Sequence, residues 1–298
     1  MLGYDQPLFM LAFDHRGAGH MAMFDAAPDP TPEQRTVITG VKQLIADAFA
    51  HALTHGVDGA TAGILVDEEF GGEIASTARE HGTTVAMPVE VAGLDHFQFE
   101  YGEDFASHLS AFDPTMAKVL VRFNPEGDAA KNRTSLEHLG RLSAWLGPRP
   151  MKFLLELIVP ATPRQLDTAG GLEAYDTNIR PRLTREVMAT MQGAGIEPDL
   201  WKIEGIDRKD DCQAIAEQAQ RHGRDRVGCV VLSRGADEPT MHRWLRTAAG
   251  VPGFVGFAIG RTVWRAEVAG YLTGDLDHTN ALERISTNYR RCVAAFVD

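Results

Sequence analysis

Eight short apolar runs, separated by stretches of helical periodicity, frame the chain. They are LFMLAFD (8–14), GATAGILVD (59–67), TTVAMPVE (83–90), AKVLVRFN (117–124), MKFLLELIV (151–159), DLWKIEG (199–205), GCVVLSRG (228–235) and GFVGFAIGR (253–261). The first intervening segment opens on Thr31, Pro32 and Gln34, a T-P-x-Q start that predicts a capping box with proline at the first helical position. Its apolar stripe runs from Val37 and Ile38 through Val41, Leu44, Ile45, Ala48, Phe49 and Ala52 to Leu53, and Gly56 closes it. Similar patterns predict helices over 71–81, 131–146, 181–193, 209–222, 238–248 and 277–296, with a short one near 104–112.

Continuous apolar runs are the signature of strands buried on both faces, and parallel neighbours need crossover helices between them. Eight such units predict an α/β fold, a (β/α)8 TIM barrel, with residues 1–298 forming one domain. The alternative is a doubly wound open sheet, whose first strand leads into a GxGxxG phosphate loop. DHRGAG at that place does not have the spacing. No Pro-, Gly- or Ser-rich tract or charge block marks a linker, and 44% hydrophobic residues suffice for a sizeable core.

A net charge of −12 argues against nucleic acid or an anionic membrane as partner, and leaves a small anionic substrate held by local positive charge. Cys212, Cys229 and Cys292 are odd in number, widely spaced and without a CxxC, so neither a disulfide framework nor a zinc site is expected. The N-terminus lacks a basic leader region, and no apolar run approaches the roughly 18 residues of a membrane span. The expected location is the cytoplasm.

Barrel enzymes carry their chemistry at the C-terminal ends of the strands. Here those ends are charged: Asp14, His15 and Arg16; Asp67, Glu68 and Glu69; Glu90; Arg122 and Asn124; Glu156; Lys202 and Glu204; Ser233 and Arg234; Gly260 and Arg261. Alternate strand residues share a face, so Leu200, Lys202 and Glu204 form one set and Lys152, Leu154 and Glu156 another. With the bulkier apolar residues turned to the helices, Lys202 and Glu156 point into the barrel from adjacent strands, and Arg122 and Lys152 are the expected cationic neighbours.

A buried lysine is costly unless paired or neutral, so a purely structural Lys202–Glu156 ion pair is the plain reading. At the catalytic end of a barrel, the same pair offers an amine that can form a Schiff base with a ketone and an acid to carry its protons. The last two strands add a phosphate signal. LSRGAD and AIGRTVW supply a hydroxyl, glycines and two arginines to the two loops that bind phosphate in many such barrels.

LAFDHRG, KVLVRFNPEGD, FLLELIVPAT, WKIEG, LSRGADE and GFAIGRTVW, in order from residue 8 to about 264, together resemble the 2-deoxy-5-keto-gluconate 6-phosphate aldolase-like family. In some bacteria that aldolase domain is fused behind 5-dehydro-2-deoxygluconokinase. More distantly the chain is similar to class I tagatose 1,6-bisphosphate aldolases. The resemblance implies that Lys202, in its K-x-E context, forms the Schiff base and that Glu156 moves protons. It implies that Asp14 orients the substrate or stabilises the iminium, and that Ser233, Arg261 and the amides of Gly235 and Gly260 hold the phosphate. Arg16, Arg122 and Arg234 complete the expected binding set. Arg234 stands where the tagatose-bisphosphate enzymes have a small residue, which bears on the identity of the sugar. With no kinase domain in this sequence, the chain is expected to act alone or to receive a substrate phosphorylated elsewhere.

The function so implied is class I cleavage of a ketose phosphate, such as 2-deoxy-5-keto-gluconate 6-phosphate, to dihydroxyacetone phosphate and an aldehyde. No cofactor is expected, the partner is a phosphorylated sugar, and the chain is expected to form a homo-oligomer, for which the 277–296 stripe of Ala281, Leu282, Ile285, Tyr289 and Val293 is a candidate face. Three rivals are a metal-dependent aldolase, a phosphosugar isomerase and a non-catalytic phosphosugar-binding regulator. A metal site needs clustered ligands, and only His15 at a strand end, His96 in a loop and the Asp67–Glu69 group qualify. The last also reads as a helix start that favours negative charge. HMAMFDAAPDPTP (20–32) is either a flap over the site or a subunit contact, and Trp145, Trp244 and Trp264 read as packing residues.

Overall fold

The computed structural model describes residues 1–17 and 29–297. Its eight strands close into a parallel barrel in sequence order: β1 Leu8–Ala12, β2 Ala62–Leu65, β3 Thr84–Pro88, β4 Met116–Arg122, β5 Lys152–Ile158, β6 Leu200–Glu204, β7 Gly228–Leu232 and β8 Phe254–Ile259. The (β/α)8 barrel expected from the eight runs is the fold observed. Each run overshoots its strand by a residue or more, because the polar residues that close it already belong to the loops.

Strand parity divides the core in two. Leu8, Met10, Leu65, Ala86, Met116, Leu154, Leu200, Val230 and Ala258 fill the barrel interior. The alternate positions, among them Phe9, Leu11, Ile64, Val85, Val119, Leu155, Trp201 and Phe257, pack outward against the helices. The barrel closes tightly at β8: a Cβ on Gly256 would lie 1.9 Å from the carbonyl oxygen of Leu8, so only glycine fits there.

The helices follow the predicted stripes: α1 Pro32–Thr54, α2 Glu68–Glu80, α3 Phe105–Phe112, α4 Ala129–Leu146, then α5 Pro163–Ala169, α6 Leu172–Asn178 and α7 Arg180–Gly193. The remainder are α8 Lys209–Gln220, α9 Glu238–Ala248, α10 Arg261–Thr273 and α11 His278–Val297. Thr31 and Gln34 form the capping box at α1 reciprocally, through contacts of 3.3 and 2.9 Å. Three helices were not anticipated: α5 and α6, inserted before α7, and α10, which leaves β8 with no connecting loop.

The α11 stripe has a different use from the one expected. Ala281, Ile285 and Tyr289 are fully buried in the core, and the Tyr289 hydroxyl donates to the Phe9 carbonyl at 2.6 Å, so this face is consumed inside the molecule. Cys212, Cys229 and Cys292 are free and buried. Trp145, Trp244 and Trp264 pack against the core or within it. No helix among the described residues is long and apolar enough to cross a membrane.

Candidate functional site

Above the apolar interior, the same parity continues into charge. Met116 is followed on its face by Lys118, Leu154 by Glu156, Leu200 by Lys202, and Ala12 by Asp14. Glu156 is level with Lys202 on β6 and with Leu120 on β4. The Lys202 ammonium nitrogen lies 3.0 Å from Glu156 Oε2, and the Lys118 nitrogen reaches the same oxygen at 3.0 Å from two residues lower on β4. Lys118 also donates to Asp14 Oδ2 at 2.9 Å and to Glu90 Oε1 at 2.8 Å. These side chains are almost wholly buried, except that of Asp14, which is 20% exposed.

The charges decide the protonation states. Burial works to push the Asp14 carboxyl up, but the ammonium groups of Lys118 and Lys202 together hold it well below the usual carboxylate range. Glu156 is likewise raised by burial, and the same two lysines more than offset this, so it too is lowered. Burial opposes the charge on Lys118, yet Asp14, Glu156 and Glu90 hold it protonated beyond the ordinary lysine value. Lys118 is therefore the resident cation. Lys202 has Glu156 as its one ion-pair partner among the described residues.

This cluster forms the floor of a cavity of about 420 Å³ at the C-terminal ends of the strands. One wall is the corner between β7 and β8, where Ser233, Gly235, Gly260 and Arg261 converge. α10 begins at Arg261, so its N-terminal amides open on this corner. Thr262 ties the corner together, its hydroxyl donating to the Ala236 carbonyl at 2.9 Å and accepting from the Ser233 hydroxyl at 3.2 Å. Arg122 lines the opposite side from the end of β4, donating to the Leu94 carbonyl at 3.0 Å. Neither Arg122 nor Arg261 forms a salt bridge among the described residues, although Arg122 lies near enough to Asp95 to help Lys131 lower that carboxyl.

The other expected binding arginines are differently engaged. Arg16 lines the cavity, donates to the Glu90 carbonyl and pairs with Glu100 at 3.1 Å. Arg234 also lines it, but its guanidinium is bound by Asp176 and by Glu204 at 2.8 Å. Glu204 shares the parity of Lys202 yet turns away from the cavity, accepting from the Val159 amide at 2.9 Å.

Lys152 is not a neighbour of Lys202. It sits at the first residue of β5, at the opposite end of the barrel, where it pairs with Asp199 at 2.9 Å. Its parity was right and its height wrong, and the cation beside Glu156 is Lys118. The signal for Lys118 lay in AKVLVRFN, another apolar strand interrupted by an inward lysine. The Asp67–Glu69 group is dispersed: Asp67 caps α2 and pairs with buried Lys42, Glu68 with His108 and Glu69 with Arg35. His15 packs its ring on Trp264 at 4.7 Å, and His96 bonds Gln98 at 2.7 Å. No group of three or more His, Cys, Asp or Glu among the described residues is placed to hold a metal ion. Residues 18–28, which include most of the proposed flap, lie outside the described residues.

Fold and site together define a (β/α)8 barrel with a buried lysine–carboxylate cluster beneath an open, arginine-flanked cavity. By sequence, the chain belongs, over residues 4–298, to the family described as "Uncharacterized protein conserved in bacteria (DUF2090)". Comparison with the curated proteins finds no match. Among solved structures it is similar to a Schiff-base-forming fructose-1,6-bisphosphate aldolase, at 13% identity over 96% of this chain and 94% of the other, with a TM-score of 0.56. An archaeal fructose 1,6-bisphosphate aldolase matches at 14% identity, 97% and 93% coverage and a TM-score of 0.58. A fructose-bisphosphate aldolase from Slackia heliotrinireducens matches at 13% identity, 95% and 86% coverage and a TM-score of 0.58. At these identities the likeness is one of fold.

Proposed function

We propose that this protein is a class I aldolase that cleaves a ketose phosphate through a Schiff base on Lys202. The observation that carries this reading is the shared carboxylate: Glu156 lies 3.0 Å from both Lys202 and Lys118 on the floor of the cavity. A purely structural pair has no need of a second lysine at the same oxygen, nor of an open cavity above it.

The reaction uses these groups in sequence. Lys202, having passed a proton to Glu156, attacks the ketone carbon; Glu156 returns that proton to the carbinolamine oxygen and then carries a second to it from the Lys202 nitrogen, so that water leaves and an iminium forms. Glu156, again a carboxylate, takes the proton from the hydroxyl on the far carbon of the scissile bond, and the electrons flow into the iminium nitrogen, breaking the carbon–carbon bond and releasing an aldehyde. Protonation of the remaining enamine and addition of water free the ketone phosphate and restore Lys202. Water lost in the first half is regained in the second. Asp14, anchored by Lys118 where it lines the cavity, orients the substrate or stabilises the iminium, and Lys118 keeps the buried cluster from accumulating uncompensated negative charge.

Arg261, Ser233, Gly235, Gly260 and the α10 N-terminus form the phosphate corner. Arg122, a cation that forms no salt bridge among the described residues, serves the aldehyde half. The family resemblance makes 2-deoxy-5-keto-gluconate 6-phosphate the first substrate to try, within a panel of ketose phosphates that includes deoxy and sulfonated variants. Release of dihydroxyacetone phosphate that persists in EDTA is expected for at least one. Activity abolished by EDTA and restored by a divalent ion would overturn the metal-independent mechanism.

A further inference from the structure

The residue after Ser233 is strained. Arg234 has φ +52° and Gly235 φ +74°, so both lie in the left-handed region, and the Ala236 amide donates to the Ser233 carbonyl at 2.9 Å. Two central residues with positive φ make the mirror-image type I turn, for which glycine and asparagine are the favoured residues. An arginine persists in such a place only where its surroundings over-determine it.

Those surroundings are two carboxylates from elements with no other business in the turn. Asp176, on the inserted helix α6, binds both terminal nitrogens of Arg234, and Glu204, at the end of β6, binds one at 2.8 Å. Each carboxylate is itself fixed. Asp176 accepts from Arg180 Nε at 2.9 Å, and Arg180 donates onward to the Gly205 carbonyl at 2.7 Å. Glu204 accepts from the Val159 amide, and Tyr175, beside Asp176, donates to the Val159 carbonyl at 2.9 Å. On its far side the turn meets the phosphate corner: a Cβ on Gly235 would lie 3.3 Å from an Arg261 nitrogen.

We propose that Asp176 and Glu204 are positioning residues which, through Arg234, hold the Ser233–Ala236 turn in the shape that receives the substrate's phosphate. This rests on the reading of that corner as the phosphate site. Arg234, with its charge already matched by two carboxylates, is thereby a strut, and Arg261 is the cation left for the ligand. Lysine cannot replace Arg234, because the planar fork is what reaches both acids.

The test is inorganic phosphate binding by titration calorimetry on the whole chain, with folding of each variant checked by circular dichroism. Asp176→Asn and Arg234→Gly are each expected to weaken phosphate by about tenfold. Glycine suits the turn's backbone, so the second variant keeps the test available if the first fails to fold. In the Arg234→Gly background, Asp176→Asn is expected to have no further effect, because Asp176 acts on the turn through Arg234. Single variants that bind within about twofold of wild type, or effects that add in the double variant, overturn the proposal. Wild-type protein that binds no phosphate, or an Arg261→Ala variant that binds it as wild type does, instead removes the phosphate corner itself and the proposal with it.

Discussion

Lys118 touches three carboxylates at once, Asp14, Glu90 and Glu156, and its loss would leave them facing one another in a buried space. Lys118→Met is therefore expected to lower kcat by about 10²-fold or more. It should also raise the Glu156 pKa, since the charge of Lys118 is the foremost influence holding that carboxyl down against burial. The acid limb of the kcat/KM profile then moves to higher pH, and an unmoved limb would contradict the assignment. Lys118 and Lys202 posed the same question to sequence reasoning, each an inward lysine in an apolar strand. Lys202 was legible because Glu156 sits at matching height on the next strand. Lys118 begins two residues lower and reaches Glu156 only by its length, and parity carries no information about height. Arg234 was legible as a strand-end cation, but its two partners come from a helix and a strand 30 or more positions away, beyond local pattern.

Among elements, the β1 end depends on a buried lysine from α1. Lys42 donates to the carbonyls of Phe13 at 2.7 Å and His15 at 3.1 Å, the residues flanking Asp14, and pairs with Asp67 at the start of α2. Lys42→Met leaves the buried Asp67 carboxyl without its lysine, and is expected to destabilise the fold by about 3–5 kcal/mol. The double variant Lys42→Met, Asp67→Asn keeps the cap on Phe70 without the charge, so it should recover much of that loss in urea unfolding. A double variant no more stable than the single one would mean that the pair is not the source. Strands and long helices followed from apolar periodicity. α5 repeats at Thr162, Pro163 and Gln165 the capping signal that marked α1, but seven residues are too few to show a stripe. α10 was hidden for another reason: Gly260 caps it without a side-chain hydrogen bond, so the glycine and arginine of AIGR read as a loop. The function proposed for that corner suits a helix end without a side-chain cap, since a helix N-terminus favours an anion.

For the whole molecule, the cluster on the barrel floor ties folding to acidity. Asp14 and Glu156 have folded pKa values below their unfolded ones. Their contribution to stability is complete above the ordinary carboxylate value of about 4 and is lost as pH falls through the lower folded values. Urea midpoints should thus fall between about pH 5 and about pH 2, and Asp14→Asn should flatten that decline. A wild-type midpoint that rises on acidification would contradict the charge states assigned here. The central claim is that Lys202 becomes covalently bound to a ketone, and borohydride trapping tests it most directly. Incubation with dihydroxyacetone phosphate and borohydride, followed by digestion and mass spectrometry, should place the reduced adduct on Lys202 and abolish activity. No adduct, or one carried by Lys118 with Lys202 unmodified, would contradict the account.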